Sequence, residues 1–356
     1  MAFLVVVLMT LIAAAPGGAT SLPAPATEPT VGAREIAPLS IQWTAAPPMP
    51  VAVAGHAVAA TPAGPLAVGG TSWDHEQKRW HAEAWLFDVA SQQWLARDPL
   101  PHQIGYAAAG TVRGDLFLAG GGSTGSGGAR NAALVYPLSN RARDVVAVPD
   151  VPTARLFAGG GAVDGWLMVV GGASDADTLA GVTDVAVRLK LGEAKRAWEP
   201  AAPVPGGPLI LPASAVCGGR LYLFGGMSSP DGGPLKDTAR AACYRPDLNR
   251  WEPVAPLPSP RRCAAAVALD DRFVAIVGGC TTRGDAAVML DEVILYDTRE
   301  DRYHAAARLP YAAACVGAVL GADGRLYVCG GEDKRRSRTA AAAVGTLVRT
   351  TAKRQD

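Results

Sequence analysis

The sequence predicts an all-β chain folded as a six-bladed β-propeller, and three observations predict it. Glycine doublets at Gly69-Gly70, Gly120-Gly121, Gly171-Gly172, Gly225-Gly226, Gly278-Gly279 and Gly330-Gly331 each follow a short apolar run, and their first glycines lie 51, 51, 54, 53 and 52 residues apart. A period near 50 marks one supersecondary unit repeated around a ring, each copy burying its faces only against its neighbours. Proline-rich exits at 99–101, 149–152, 203–205, 256–258 and 309–310 mark the same boundaries independently of the glycines. Finally, the first unit begins with an ending. Ile41-Gln42-Trp43 and the prolines that follow look like the close of a repeat, whereas the last repeat stops after a third strand near 344–348. The two ends therefore complete one blade, with residues 41–43 pairing as its outer strand, which closes the ring and covers an open sheet edge.

Taken in order, residues 3–15 form an apolar run too short to span a bilayer comfortably, and small residues follow it through Ala19. Residues 1–19 read as a secretory signal, although no Lys or Arg precedes the run, and residues 20–40, rich in Pro, Ala and Thr, as a flexible lead-in. The propeller occupies 41–350, and 351–356 is a tail. Export implies a periplasmic or secreted protein. The first blade, 52–94, carries His56 and a long loop, 71–82, with Trp73, Lys78, Arg79 and Trp80. The second, from His102 to about 149, lacks an outer-strand Trp. The third runs from Arg155 to Trp198, the fourth from Pro208 to Trp251, and the fifth from Arg261 to Tyr303, which stands where its sisters have Trp. The sixth starts at Tyr311. The recurring Trp43, Trp94, Trp198 and Trp251 are expected to pack blades together.

The 41 glycines and 28 prolines suit many short strands and turns, and no long helix is expected. With 33 Lys+Arg against 32 Asp+Glu, no net field draws in nucleic acid or an anionic membrane, and neither is expected as a partner. The six cysteines fall between Cys217 and Cys329 without zinc-site spacing, so no metal is expected there. They are expected to be free, small buried hydrophobes; in an exported chain, pairing is the alternative. Cys263 and Cys315, each fifteen residues before its doublet, occupy matching places on neighbouring inner strands. His56, among small residues, is expected to pack with a hydrogen bond, and His75, His81 and His304 have no metal-like spacing.

In a four-stranded up-and-down blade the loop after the second strand and the connection from the previous blade open on one face. Glu332 and Arg338, in the second-to-third loop of the sixth blade, therefore share a mouth with His102, Arg155, Arg261, Arg262 and Tyr311 at blade starts. The equivalents of Glu332 are Thr71, Gly122, Ala173, Met227 and Cys280, so a carboxylate at this place is not a demand of the repeat. A carboxylate with a guanidinium six residues on places an acid/base group beside an anion fork. Trp73, Trp80 and Tyr311 offer faces for a sugar ring.

Read together, these residues resemble the kelch-type N-acetylneuraminate epimerases, the sialic acid mutarotases, in a cyclically permuted version, over about 41–348. Residues 205–208 leading to 219–226 look like that family's first blade, and 310–311 leading to Glu332 and Arg338 like its third. The resemblance implies an isomerase needing no cofactor, with Glu332 and Arg338 as the catalytic pair and a small acidic sugar as partner. Mutarotation removes the anomeric hydroxyl proton and protonates the ring oxygen, then reverses on the other face. Glu332 would carry the proton, while Arg338 would clamp the sugar carboxylate or hold Glu332. Leu209 and Gly122 stand where the family often carries an arginine and a glutamate. A copper oxidase of the galactose oxidase type also uses such blades, but no Tyr, Cys and His ligand set is evident. The alternative is a non-catalytic propeller binding glycans or protein partners through the same face.

Overall fold

The computed structural model describes residues 39–112, 114–123, 128–138, 146–191, 197–229 and 232–349; the expected signal run, most of the lead-in and the short tail lie outside them. Among the described residues are six four-stranded antiparallel sheets, succeeding one another along the chain. The first comprises Ala57–Thr61, Gly64–Val68, Ala84–Asp88 and Gln93–Arg97, the second Ala108–Val112, Asp115–Ala119, Ala133–Pro137 and Val146–Val148, and the third Gly159–Val163, Trp166–Val170, Ala186–Lys190 and Trp198–Ala201. The fourth comprises Ala213–Cys217, Arg220–Phe224, Ala241–Arg245 and Arg250–Pro253, and the fifth Ala265–Ala268, Phe273–Val277, Val293–Asp297 and Arg302–Ala305. The sixth joins Gly317–Leu320, Leu326–Cys329 and Ala342–Arg349 to Leu39–Ala46 from the other end of the chain. The register sets Ile41 opposite Leu347 and Trp43 opposite Gly345, the pairing the sequence implied. No helix among the described residues is long and apolar enough to cross a membrane.

The second strands are continuous apolar runs because both of their faces are covered, and alternate residues serve different neighbours. Leu116 and Leu118 pack with Leu66 and Val68 of the first sheet, whereas Phe117 and Ala119 pack with Leu167 and Val169 of the third. The pattern continues through Met168 with Leu221, through Phe224 with Ile276, and through Ala275 with Val328 and Ile41. First and sixth sheets meet through Ala67 with Cys329 and through Phe87 with Tyr327 and Val344.

A second set of contacts runs through the innermost backbone. The amide of Gly55 donates to the carbonyl of Cys315, Cys315 to Cys263, Cys263 to Leu211, Leu211 to Phe157, Phe157 to Tyr106, and Tyr106 back to Gly55, at 2.6 to 3.2 Å. All six residues have φ between 51° and 66°, a left-handed conformation that five of them adopt with a side chain present. These bonds offset that local cost and join each sheet to the next.

In four of the six units an outer aromatic ties the sheet to the exit of the one before, while the Trp43 indole N–H is buried without a partner among the described residues. Trp94, Trp198 and Trp251 donate their indole N–H to the carbonyls of Pro47, Pro149 and Ala202, and Tyr303 donates its hydroxyl to Ala255, at 2.7 to 2.9 Å. The expected packing role of these tryptophans therefore includes a directed hydrogen bond, which a tyrosine also supplies.

Candidate functional site

Each glycine doublet turns the chain out of the second strand, and the next residue pairs with the segment that begins its own blade. Ala54 bridges Thr71, Gly105 bridges Gly122, Leu156 bridges Ala173, Ile210 pairs Met227, Arg262 bridges Cys280, and Ala314 bridges Glu332. The equivalences read from the repeat are thus met in space. At Gly330, φ is 63°, and a Cβ there would lie 2.4 Å from the Val53 carbonyl oxygen, so only glycine permits the turn.

Glu332 is fixed at its backbone by an N–H donated to Ala314 O at 2.7 Å, and its carboxylate lies beside Arg338, Oε2 to Nη1 at 3.1 Å. The Arg338 side chain is 3% exposed and that of Glu332 25%. Both terminal nitrogens have further partners, while Nε is buried without one among the described residues. Nη1 donates to Ser337 O at 2.9 Å, and Nη2 donates to the Tyr106 hydroxyl at 3.2 Å and to Thr71 Oγ1 at 3.4 Å. Lys78 completes the group, its Nζ 5.1 Å from the Trp80 ring centre and 5.4 Å from that of Tyr106.

Burial pushes the Glu332 carboxyl above its ordinary range, against the opposing pull of Arg338, Lys78 and Arg262. Burial and then the Arg338 charge hold Lys78 below the usual lysine range, while Glu332 and Asp177 oppose that fall. The Tyr106 hydroxyl is raised, first by burial. Carboxylate, ammonium, guanidinium and phenol therefore sit together, with a carboxylate of raised pKa placed for proton exchange.

Of the residues the sequence placed here as sugar contacts, Arg262 stands close enough for its charge to act on Glu332, but it forms an ion pair with Asp237 and donates to Thr282 Oγ1 at 3.0 Å. Arg155 and Arg261 are corrections. They are 3% and 1% exposed, and their guanidinium groups turn into the blades. Arg155 donates to the carbonyls of Gly171 at 3.2 Å and Val185 at 2.8 Å; Arg261 pairs with Glu292 at 2.8 Å and reaches Gly278 O at 3.5 Å. Both satisfy the carbonyl of the first doublet glycine, which the strand ladder leaves open. Tyr311 likewise donates to Ala341 O at 3.2 Å.

Trp80 is buried rather than presented as a sugar platform, and it explains one departure from the family pattern: a Cβ on Gly122 would lie 2.5 Å from the Trp80 ring, so no glutamate fits there. Residues 71–82, read as a loop, contain a hairpin, Thr71–Asp74 with Gln77–Trp80, which carries Lys78. Trp73 is half-buried under Arg336, whose guanidinium lies 5.6 Å from its ring centre. His102 is half-buried, with its pKa lowered by burial and then by Arg130.

Sequence reasoning missed Lys78, Thr71 and Tyr106 as members of the site. The available signal was the repeat itself, since Tyr106 occupies the inner-ring place of Cys263 and Cys315. His304, which showed no metal-like spacing, comes together with Asp297 and Glu300. Arg272 already fills that place, with Nε at 2.9 Å from both Asp297 oxygens and Nη2 at 2.6 Å from Glu300.

Residues 210–258 match the kelch motif. The chain is 28% identical over 253 residues to Kelch-like protein 35 of Mus musculus, covering 70% of this chain and 38% of that protein. It is 26% identical over 233 residues to the N-acetylneuraminate epimerase of Yersinia pestis (strain Pestoides F), covering 56% of this chain and 57% of that one. With the N-acetylneuraminate epimerase of Pasteurella multocida (strain Pm70) it shares 28% identity over 232 residues, covering 56% and 58%. These matches span less than two thirds of the curated relatives' lengths. The solved structure of YjhT superposes with a TM-score of 0.66 over 85% of this chain and 99% of that one, a likeness of fold at 14% identity. The chain thus resembles the kelch-repeat N-acetylneuraminate epimerases, the sialic acid mutarotases, and has a kelch β-propeller fold.

Proposed function

We propose that this protein is an isomerase that interconverts the anomers of N-acetylneuraminate or a related acidic sugar by acid/base ring opening. In this reading the six sheets form one closed six-bladed propeller and the chain acts in the periplasm or after secretion. The observation that carries the activity is the largely buried Glu332–Arg338 pair at 3.1 Å, with the carboxyl raised by burial.

The sequence left two roles open for Arg338, and the geometry supports one. Its two terminal nitrogens are occupied by Glu332, Ser337 O, Tyr106 and Thr71 and its Nε is buried, so it orients Glu332 rather than receiving the sugar. Lys78 then supplies the cation for the sugar carboxylate from beside the same pair. Glu332 takes the anomeric hydroxyl proton; as the ring opens, a proton is returned to the ring oxygen, and closure on the other carbonyl face reverses the transfer. Negative charge that develops on the ring oxygen in the transition state is met by Lys78.

The test is anomer interconversion followed by NMR after dissolving one crystalline anomer, with and without protein, for N-acetylneuraminate and a panel of other sugars. Catalysed approach to equilibrium for acidic sugars is expected. Rates equal to the uncatalysed reaction for every sugar reject the isomerase and leave a propeller that binds glycans or protein partners, a reading that the match to Kelch-like protein 35 also fits. Export is checked by the N-terminus of the mature protein, expected after the apolar run.

A further inference from the structure

Beneath the mouth, the inner-ring residues Gly55, Tyr106, Phe157, Leu211, Cys263 and Cys315 border a central channel of about 290 Å³. Its walls are otherwise mostly alanine and other small side chains, which leaves it open to a small molecule. Cys263 and Cys315 both line it and both are half-buried, whereas Cys280, beside them, is buried. All six cysteines are free thiols.

From this arrangement we infer that Cys263 and Cys315 are a dithiol modification site, which a small dialkyl disulfide entering the channel converts into a disulfide between the fifth and sixth sheets. The Cys315 N–H donates to Cys263 O at 2.6 Å. Summed bond lengths across that contact cap the Cα separation at about 6.8 Å, inside the range of about 4.4–6.8 Å that a disulfide spans. The two residues share the same left-handed conformation, φ 56° and 51°, at equivalent places in adjacent units. Cys280, whose backbone bridges Arg262 next to Cys263, is the competing partner.

The chemistry is thiol–disulfide exchange. The Cys315 thiolate attacks one sulfur of the small disulfide RS–SR, forming a mixed disulfide and releasing RS⁻, which takes up the proton Cys315 gave to water. The Cys263 sulfur then attacks Cys315 Sγ and expels the second RS⁻, which is protonated by the proton Cys263 loses. The protein loses two electrons and two protons, and the disulfide is reduced to two thiols. Ala314, next to Cys315, holds the Glu332 N–H, so the bond forms one residue from the anchor of the candidate acid/base group. The site does not depend on the isomerase reading.

The full-length reduced protein is incubated with cystamine, unreacted thiols are alkylated without reduction, and intact mass and peptide maps are recorded. The expected result is loss of the mass of two hydrogens, a peptide joining Cys263 to Cys315, and recovery of both thiols with a dithiol reductant. Cys280→Ser is expected to keep the link and Cys315→Ser to abolish it. A stable mixed disulfide with cystamine, a link joining Cys263 to Cys280, or no change in mass overturns the inference.

Discussion

Arg338 reaches Glu332 with one nitrogen and the Tyr106 hydroxyl with the other, at 3.1 and 3.2 Å, so a single guanidinium locks the carboxylate of the sixth blade to a residue at the start of the second. Rigid placement of a proton-transfer group by a planar fork is what separates an acid/base site from a charged surface turn.

Glu332→Gln keeps the side-chain shape and leaves blade packing untouched, so circular dichroism and sugar binding are expected to persist. The anomer interconversion rate is expected to fall by about a hundred- to ten-thousand-fold, the range of general acid/base contributions; a change of only a few-fold rejects the proton-carrier role. Arg338→Lys replaces the fork with a point charge. Its rate is expected to fall for acidic and neutral sugars alike, because the substitution misplaces Glu332 rather than removing a sugar contact. Loss confined to acidic sugars would return Arg338 to the role of clamp.

Lys78→Met retains a long apolar stem against Trp80 and Tyr106 while removing the charge. KM for an acidic sugar is expected to rise with kcat less affected, and a neutral analogue is expected to be nearly unchanged. The pH profile supplies a second readout. Because burial raises the Glu332 carboxyl, the acid limb of the rate should lie above the ordinary glutamate range, and because Lys78 lowers that pKa, Lys78→Met should shift the limb further upward. A downward shift contradicts the placement of Lys78 beside Glu332.

His56 is buried, with Nδ1 unpartnered and Nε2 3.6 Å from Cys329 Sγ, and burial lowers its pKa from 6.5 to about 4. Between those values the unfolded chain binds the proton and the folded one does not. This contribution to stability is therefore fully present above pH 6.5 and is lost as pH falls through about 4. The loss is on the order of 3 kcal/mol, and urea midpoints measured across that window are expected to fall more steeply for the parent than for His56→Asn. Parallel curves would refute the buried neutral histidine.

Ile41 is 2% exposed and packs with Ala275 and Val328, although some 300 residues of chain separate it from its strand partner Leu347. Ile41→Ala is expected to cost about 2–5 kcal/mol, as for other large-to-small core changes, and to lower the melting temperature of the whole propeller cooperatively. A loss below about 0.5 kcal/mol, typical of surface positions, would show that the N-terminal strand does not close the ring in solution.

The sequence alone determined the repeat, the blade boundaries and the pairing of the two chain ends, because doublets, apolar runs and proline exits are local patterns that recur. It also singled out Glu332 and Arg338, since six residues on one loop stay together whatever the fold does with them. Tertiary structure alone decided the rest of the site. Tyr106 and Thr71 lie 232 and 267 residues from Arg338 and arrive only where distant parts of the chain meet, and Lys78 arrives on a hairpin that pattern reading took for a loop. Topology told which end of a blade Arg155 and Arg261 occupy, but not where their guanidinium groups point. Carbonyls at Gly171 and Gly278 lack ladder partners, and a buried acceptor draws the nearest long donor inward. That demand exists only once the strands have ended where they do, so no stretch of sequence displays it.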